Sequence, residues 1–357
     1  MKQNRKYDRK IYLSSIFDDG IVYYETALPL QGEDINLLFP IDEIVSVTNY
    51  GLDVEYVYGR DYIVKDGKIV ILPKGNINII PLDEYYSKTA ASTRICVEPT
   101  RCLYKFDEPR FLMFGESSFM SDKQIAITYK HKGQWNLFRQ KRQSEKVNRF
   151  IQKLKSKQET TIVFFGDSIT VGCNSSGTSF GGNVPPYAES WPVMITEYLK
   201  EKHETKINYV NTAVGGMTTK WGVDNYKDLV LKYNPDLVVI GFGMNDGSLP
   251  KEDHIEQILT IVNGIKEANP DCDIILISTT VPNPESTWVL AQETYIEEYE
   301  KLDLDHVAIV DMTHMHQDLL KKKKFKDMSG NNINHPNDFL VRVYAQSILE
   351  VMGELDK

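Results

Sequence analysis

Ser168 and His335 are the residues whose types could do covalent chemistry in this chain. Ser168 sits in Gly166-Asp167-Ser168-Ile169-Thr170, and His335 in Asn331-Asn332-Ile333-Asn334-His335-Pro336-Asn337-Asp338. Serine is a weak nucleophile until a base takes its proton, and histidine suits that task near neutral pH. Two further segments stand out. In Asn211-Thr212-Ala213-Val214-Gly215-Gly216-Met217-Thr218-Thr219 the paired glycines leave backbone N–H groups uncovered, and Gly241-Phe242-Gly243-Met244-Asn245-Asp246-Gly247 follows another apolar run. Each segment has an ordinary alternative. A serine after a strand commonly caps a helix, glycine pairs and Asn-Asp-Gly commonly turn the chain, a lone histidine commonly makes a structural hydrogen bond, and Asn337 suits the cap of a final helix. What points to a site is their joint occurrence at successive strand ends.

The elements that must position these residues are read from hydrophobic periodicity. From residue 160 onward, short and nearly all-apolar runs at 161–165, 207–211, 237–241, 274–278 and 307–310 predict parallel strands covered on both faces. Helical patterns lie between them, near 189–202, 222–233, 251–268, 289–301 and 313–323, with a last helix over 338–352 that ends near Gly353. This is an α/β pattern, five parallel strands in a three-layer αβα sandwich. Open parallel sheets bind ligands beyond the carboxyl ends of their strands, where the segments above fall.

Residues 1 to about 135 read differently. Apolar and β-branched runs at 44–47, 54–57 and 62–64, a hairpin signal at Asp66-Gly67 and a turn at Pro73-Lys74-Gly75-Asn76 suggest an all-β sandwich or jelly roll. The run at 125–129 alternates like a half-buried strand. The stretch FRQKRQSEKVNRFIQKLKSK at 138–157 is read as a linker helix with Val147, Phe150, Ile151 and Leu154 inward and its charges solvated, in preference to an anionic-surface binder. The expected organisation is a β-sandwich (jelly-roll-like) domain at 1–137, a basic linker helix at 138–158 and a catalytic α/β domain at 159–357.

The four segments resemble the SGNH family, also called GDSL-type esterases and acylhydrolases, over residues 160–357. Ser168 matches its first marker as GDSI. Gly216 matches the second in AVGGMTT, where the family often shows GVSGATT. Asn245 matches the third as GMND, and His335 the fourth as HPND. The pattern is not the G-x-S-x-G elbow of α/β-hydrolases, because Ile169 is followed by Thr170. The resemblance implies a flavodoxin-like α/β domain, an acyl-enzyme mechanism with Ser168 as nucleophile and His335 as base, and an oxyanion hole from the N–H groups of Ser168 and Gly216 and the Asn245 amide. It implies no metal and no cofactor. A metal reading of His314-Met315-His316 is set aside because alternate residues on a helix point to different faces.

One departure from the family matters. Three residues before the histidine the family usually has Asp, and here Asn332 stands there. Asparagine can accept the Nδ1–H bond but carries no charge, and in a serine protease the equivalent change lowers turnover about 10⁴-fold. Three options stay open: a dyad in which Asn332 or a backbone carbonyl orients His335, another carboxylate such as Asp327 or Asp338, or a crippled site. Asp338 also suits the dipole of the last helix.

A β domain ahead of an SGNH domain is similar to the layout of acetyl-carbohydrate esterases, particularly family two of that class. By analogy this implies a serine esterase acting on small, acetyl-sized O-esters of an oligosaccharide. The alternatives are a lipid or thioester acylhydrolase and a non-catalytic carbohydrate-binding protein. Substrate contacts are expected from Trp221, Tyr187 and Met244. Trp221 has a second reading as a helix-start residue packed on the core, and Trp191 is read as structural. The loop 173–190, with Gly177, Gly181, Gly182, Pro185, Pro186 and Tyr187, and the segment 279–284 are expected to wall the pocket.

Composition sets the bounds. With 357 residues and 41% hydrophobic side chains, two globular units are expected. A net charge of −9 argues against a nucleic-acid partner. The first twenty residues lack the apolar run of about 7–15 residues of a secretory leader. No run of about 18 apolar residues suggests a membrane span. Cys96, Cys102, Cys173 and Cys272 lack metal-type spacing and are read as reduced thiols of a cytoplasmic protein, with a Cys96–Cys102 disulfide left open. The sequence carries no reading of the oligomeric state.

Overall fold

Asp66 and Gly67 both adopt positive φ (50° and 72°), and the two-residue turn they make joins β3 (Tyr62–Lys65) to β4 (Lys68–Ile71) in register. That is the geometry an Asp-Gly hairpin needs, since its twist matches that of the strands it connects. The structure, a computed structural model, describes residues 7–18, 20–89 and 110–356. Its N-terminal part is antiparallel β. The main sheet has the order β1 (Gly20–Ala27), β7 (Ile125–His131), β2 (Glu43–Asn49), and a short pair joins β5 (Tyr86–Ser87) to β6 (Phe111–Leu112). Two short helices, α1 (Arg9–Leu13) and α2 (Leu82–Tyr85), accompany them. The run at 54–57 forms no strand; Glu55 makes an isolated bridge to Thr48. β7 is buried almost throughout, not on alternate residues: Ile125, Ile127 and Tyr129 enter the apolar cluster, and Ala126 and Thr128 on the opposite face are covered as well.

The α/β part has the expected five parallel strands: β8 (Thr160–Gly166), β9 (Ile207–Asn211), β10 (Leu237–Gly241), β11 (Asp273–Ile277) and β12 (Val307–Val310), in the order β12-β11-β10-β8-β9. Alternate residues feed two cores, as the period of two requires. Ile162, Phe164, Val239 and Ile277 point into one, and Val163, Phe165, Ile240 and Leu276 into the other. The first core is closed by α3 (Asn148–Lys155), α5 (Trp191–His203), α9 (Met312–Leu320) and α10 (Asp338–Met352). The second is closed by α6 (Thr219–Leu229), α7 (Lys251–Ala268) and α8 (Ile296–Tyr299). A short helix, α4 (Ser168–Val171), follows β8. The basic stretch is helical only over α3, after a 3₁₀ turn at Ser144–Val147, and buries Val147, Phe150, Ile151 and Leu154 as expected. The helix expected near 289–301 is reduced to a 3₁₀ turn and α8. Among the described residues no helix is long and apolar enough to cross a membrane. Cys173 and Cys272 are free and buried, and Cys96 and Cys102 lie outside the described residues.

The β part and the α/β part share one core. Val22, Val47, Ile127 and Tyr129 belong to the same apolar cluster as Phe164, Trp191 and Leu349. The last helix, α10, lies within it and is buried nearly all round, as a helix without a solvent face must be. Its Arg342 is fully buried and donates to the carbonyls of Tyr23 and Ser14, and burial lowers its pKa to about 10.

Beside this apolar contact runs a polar seam. Glu25 of β1 and Lys323 form an ion pair at 2.6 Å with both side chains wholly buried, and Glu25 also accepts from Tyr129 Oη (2.8 Å) and Leu38 N–H (2.9 Å). Removing one partner of such a pair leaves an uncompensated buried charge, at a cost of about 3–5 kcal/mol. Glu25→Ala is therefore expected to lower unfolding stability by that amount in urea titrations. A loss below about 1 kcal/mol, the range of an exposed pair, would show that Lys323 reaches another partner.

Candidate active site

The nucleophile candidate is held by its neighbours. β8 ends at Gly166, and Asp167 N–H donates to Gly241 O of the adjacent strand end (3.1 Å). The Asp167 carboxylate caps α4 by accepting Ile169 N–H (2.9 Å) and also accepts Met244 N–H; burial pushes its pKa up to about 7. Trp191 is fully buried, stacks on Tyr344 and donates from Nε1 to Ile169 O (2.8 Å), the structural part read for it. Ser168 thus opens α4 at the carboxyl edge of the sheet, with its Oγ 2.9 Å from His335 Nε2.

The glycine and asparagine segments meet beside it. Asp246 accepts Thr219 N–H (3.0 Å) and Thr219 Oγ1–H (3.0 Å), so the loop after β10 pins the start of α6. Burial raises the pKa of Asp246. Asn245 Nδ2 donates to Met217 O (3.0 Å), which sets its amide next to the glycine pair. Gly216 has φ 79°, a conformation glycine takes at no steric cost. A Cβ on Gly215 would lie 3.8 Å from Ser168 Cβ, so this block borders the serine. Among the described residues, neither Ser168 N–H nor Gly216 N–H has a protein acceptor.

His335 is placed by its own loop and by two residues from elsewhere. Asn331 Oδ1 accepts the N–H groups of Ile333, Asn334 and His335, each at 3.0 Å, and Ser329 Oγ donates to His335 O (2.9 Å). The ring Nδ1 lies 2.7 Å from Asn174 Oδ1 and 3.3 Å from Glu116 Oε2. Asn174 comes from the loop after α4, and Glu116 from the N-terminal part. Neither was singled out from the sequence. Asn174 carried a weak signal, its place in the loop next to Ser168. Glu116 carried none, since no local pattern links it to a histidine more than two hundred positions later.

The expected orienting residue is displaced. Asn332 is wholly buried with φ 69°, and its side chain faces away from the ring. Nδ2 donates to Met113 O (2.8 Å) and Tyr85 Oη (3.1 Å), and Oδ1 accepts from Asn283 Nδ2 (3.3 Å). Asparagine tolerates positive φ, and an aspartate here would lack the donor that Met113 O requires. The other carboxylates considered are engaged elsewhere. Asp327 accepts Leu28 N–H and pairs with Lys326, while Asp338 accepts Ser176 N–H (2.8 Å) in the first turn of α10. Burial pushes the pKa of Asp338 up to about 6. Asn337 caps α10, as read from its position.

The expected substrate contacts part company. Met244 is fully buried in the first core, so its side chain is not on a binding surface. Trp221 packs on Phe165 (5.7 Å) and Phe242 (6.4 Å) at the start of α6, which follows the helix-start reading. Tyr187 is half exposed on the 173–190 loop. The segment 279–284 lies against the histidine loop, with Asn283 N–H donating to Ile333 O (2.8 Å). His314 and His316 also diverge. His314 pairs with Asp311, whereas His316 is buried near Phe325, and burial lowers its pKa to about 3. Asp311, His314 and Glu300 bring ligand-type atoms within 4.8 Å of one another, but Asp311 already serves as the N-cap of α9.

Comparison with known proteins bears on the family of the α/β part. Residues 164–339 match the GDSL-like Lipase/Acylhydrolase family. The chain carries a GDSL-like lipase/acylhydrolase domain. An arylesterase of Vibrio mimicus is 25% identical over 129 residues, which are 36% of this chain and 58% of that protein, so the chain spans little more than half the length of this curated relative. Among solved structures, a two-domain esterase active on acetylated mannans, co-crystallised with mannopentaose, is 20% identical with TM-score 0.48, covering 60% of this chain and 55% of the other. An acetylxylan esterase from Geobacillus stearothermophilus, solved as a catalytic mutant, is 22% identical with TM-score 0.41, covering 54% and 94%.

The family that the sequence resembles usually has aspartate where this chain has Asn332, yet placing it here should harm the protein. Asn332→Asp is expected to lose at least about 2 kcal/mol of unfolding stability, since it buries a charge and leaves Met113 O without its donor. It should not raise kcat. A more active, equally stable variant would mean that residue 332 can turn toward His335.

Proposed function

We propose that this chain is a serine esterase that removes small acyl groups, acetyl foremost, from oligosaccharides. The observation that carries the reading is the 2.9 Å contact between Ser168 Oγ and His335 Nε2, set beside N–H groups that no protein acceptor takes up among the described residues.

In the proposed reaction His335 Nε2 takes the hydroxyl proton as Ser168 Oγ bonds to the ester carbonyl carbon. The carbonyl oxygen becomes an oxyanion facing Ser168 N–H, Gly216 N–H and the Asn245 amide. Losing one such donor typically costs on the order of 2.7–4 kcal/mol. As the intermediate collapses, the C–O bond to the sugar breaks and the leaving oxygen takes the proton from His335. A water molecule then attacks the acyl-serine with His335 again as base, releasing the acid and restoring Ser168. Asn245 gives one N–H to Met217 O, which leaves its second N–H for the substrate.

The preference for a short acyl group rests on the same resemblance to acetyl-carbohydrate esterases as the carbohydrate does. The family domain and the arylesterase relative support ester chemistry in general. The carbohydrate part of the reading rests on the resemblance of the domain order to acetyl-carbohydrate esterases.

Ser168→Ala is expected to lower hydrolysis of nitrophenyl acetate by more than about 10³-fold, with an unchanged melting temperature and no labelling by a fluorophosphonate probe. On nitrophenyl esters of increasing length, kcat/KM should fall beyond butyrate. Preference for octanoate or longer would favour a lipid or thioester acylhydrolase. A wild-type chain with neither hydrolysis nor labelling would favour a non-catalytic carbohydrate-binding protein.

A further inference from the structure

The Nδ1 side of His335 is built from three parts of the chain, and one of them is the β part. Asn174 is locked in orientation, because its Nδ2 donates to Ser117 O (3.0 Å) and Gly330 O (3.2 Å). Its Oδ1 is thereby fixed toward His335 Nδ1 at 2.7 Å. The approach is close enough to need a glycine at 330, where a Cβ would fall 2.4 Å from Asn174 Cβ. A carbonyl oxygen only accepts, so Nδ1 must carry the hydrogen, and Nε2 presents its lone pair to Ser168. Asn174 thus sets the tautomer but brings no charge.

The charge stands next to it. Glu116 Oε2 lies 3.3 Å from the same Nδ1, and its other oxygen accepts Asn331 Nδ2–H (3.0 Å). Asn331 is also the residue that holds the backbone at 333–335, so the carboxylate and the ring share one brace. The Glu116 side chain is 43% exposed, so it is only partly desolvated; that desolvation works against its charged form, but hydrogen bonding and charge from His335, with hydrogen bonds from Asn331 and Asn174, hold its pKa below the usual value. Two other titratable groups bear on the cluster. Asp167 interacts electrostatically with His335, and burial pushes the Cys173 thiol up to about 12, which keeps it neutral.

We propose that Glu116, supplied by the N-terminal β part, is the carboxylate that stabilises the His335 imidazolium, with Asn174 as the residue that fixes its tautomer; together they do the work of the aspartate that Asn332 replaces. Both are positioning residues. Neither touches the ester, and no proton leaves Nδ1 for Glu116 during the cycle. The inference rests on the Ser168–His335 reading of the site. It gives the β part a role in the chemistry itself.

Glu116→Gln keeps the size of the side chain and the acceptor for Asn331 while removing the charge. A nearby carboxylate favours the protonated ring. Without it the ring stays free of its proton to lower pH, so the acid limb of the kcat/KM profile should move down by about one pH unit. With the imidazolium less stabilised, kcat on nitrophenyl acetate should fall about tenfold or more, with KM changed less than about twofold, the pattern of an interaction made only in the transition state. Glu116→Asp, which keeps the charge on a shorter side chain, should hold kcat and the acid limb nearer to their wild-type values than Glu116→Gln does, a difference that a merely structural role for Glu116 would not produce. In parallel, ¹⁵N NMR of the His335 ring follows its protonation without any substrate. A midpoint equal in wild type and Glu116→Gln would overturn the inference whether or not the chain hydrolyses esters, and so would a shifted midpoint with unchanged kcat. A wild-type chain that hydrolyses no ester, with the NMR midpoint still displaced by Glu116→Gln, would overturn the esterase reading and leave the charge coupling standing.

Discussion

The geometry at His335 depends on a constraint that the histidine loop cannot meet alone: buried polar groups need partners. The segment from Lys323 to Asn337 lies between the α/β part and the β part, and its charges, carbonyls and amides are satisfied across that seam. Lys323 pairs with Glu25, and Asp327 accepts Leu28 N–H while its carbonyl accepts Thr26 Oγ1–H (2.6 Å). Gln124 donates to the carbonyls of Lys326 and Ser329, and its own oxygen accepts Asn337 Nδ2–H. Asn337 is at the same time the cap of α10. The strands of the β part and the loop that carries His335 are therefore one hydrogen-bonded unit. Pulling them apart would expose the shared apolar core and strand these polar groups together.

This coupling separates what was legible in the sequence from what was not. The five parallel strands were legible because each is a short run buried on both faces, and burial of that kind writes itself into four or five consecutive residues. The Asp66-Gly67 hairpin and the Asn337 cap were legible for a similar reason, since local backbone geometry selects the residue type. The helix near 289–301 was overread. Its apolar residues do pack, but Gln292 and the turns around it hold the backbone against Met244 and Gly247 instead of in a continuous helix. The alternation at 125–129 was misleading in the opposite direction, because Ala126 and Thr128 are covered on the face opposite the apolar cluster.

Asn332 shows where local reading stops. Its position relative to His335 suggested an orienting role, and its type suggested a weakened one. Both inferences assumed that the side chain faces the ring. The left-handed backbone at 332 turns it instead toward the β part, where Met113 O requires a donor and Tyr85 adds a contact, while Asn283 of the α/β part donates to its oxygen. A contact between residues 332 and 113 is set by docking of two chain segments, and no spacing rule within either segment reports it. Met244 failed for a related reason: proximity in sequence to Asn245 says nothing about which face of the loop a side chain occupies.

The exchange at 332 and the arrival of Glu116 are two sides of one arrangement. A loop turned toward the β part at 332 cannot present a carboxylate to Nδ1 from that residue. The same docking that takes up Asn332 brings the segment at 113–117 alongside, with Met113 O bonded to Asn332, Glu116 bonded to Asn331 and Ser117 O bonded to Asn174. Three contacts within five residues fix where the Glu116 carboxylate falls, so its approach to Nδ1 follows from the docking and needs no further element. In an SGNH-type site with aspartate before the histidine, base and carboxylate share one short loop and stay together whatever the rest of the chain does. Here Glu116 stands behind His335 only while the β part is in place, so on the proposed role of His335 correct docking of that part is a condition for an efficient base.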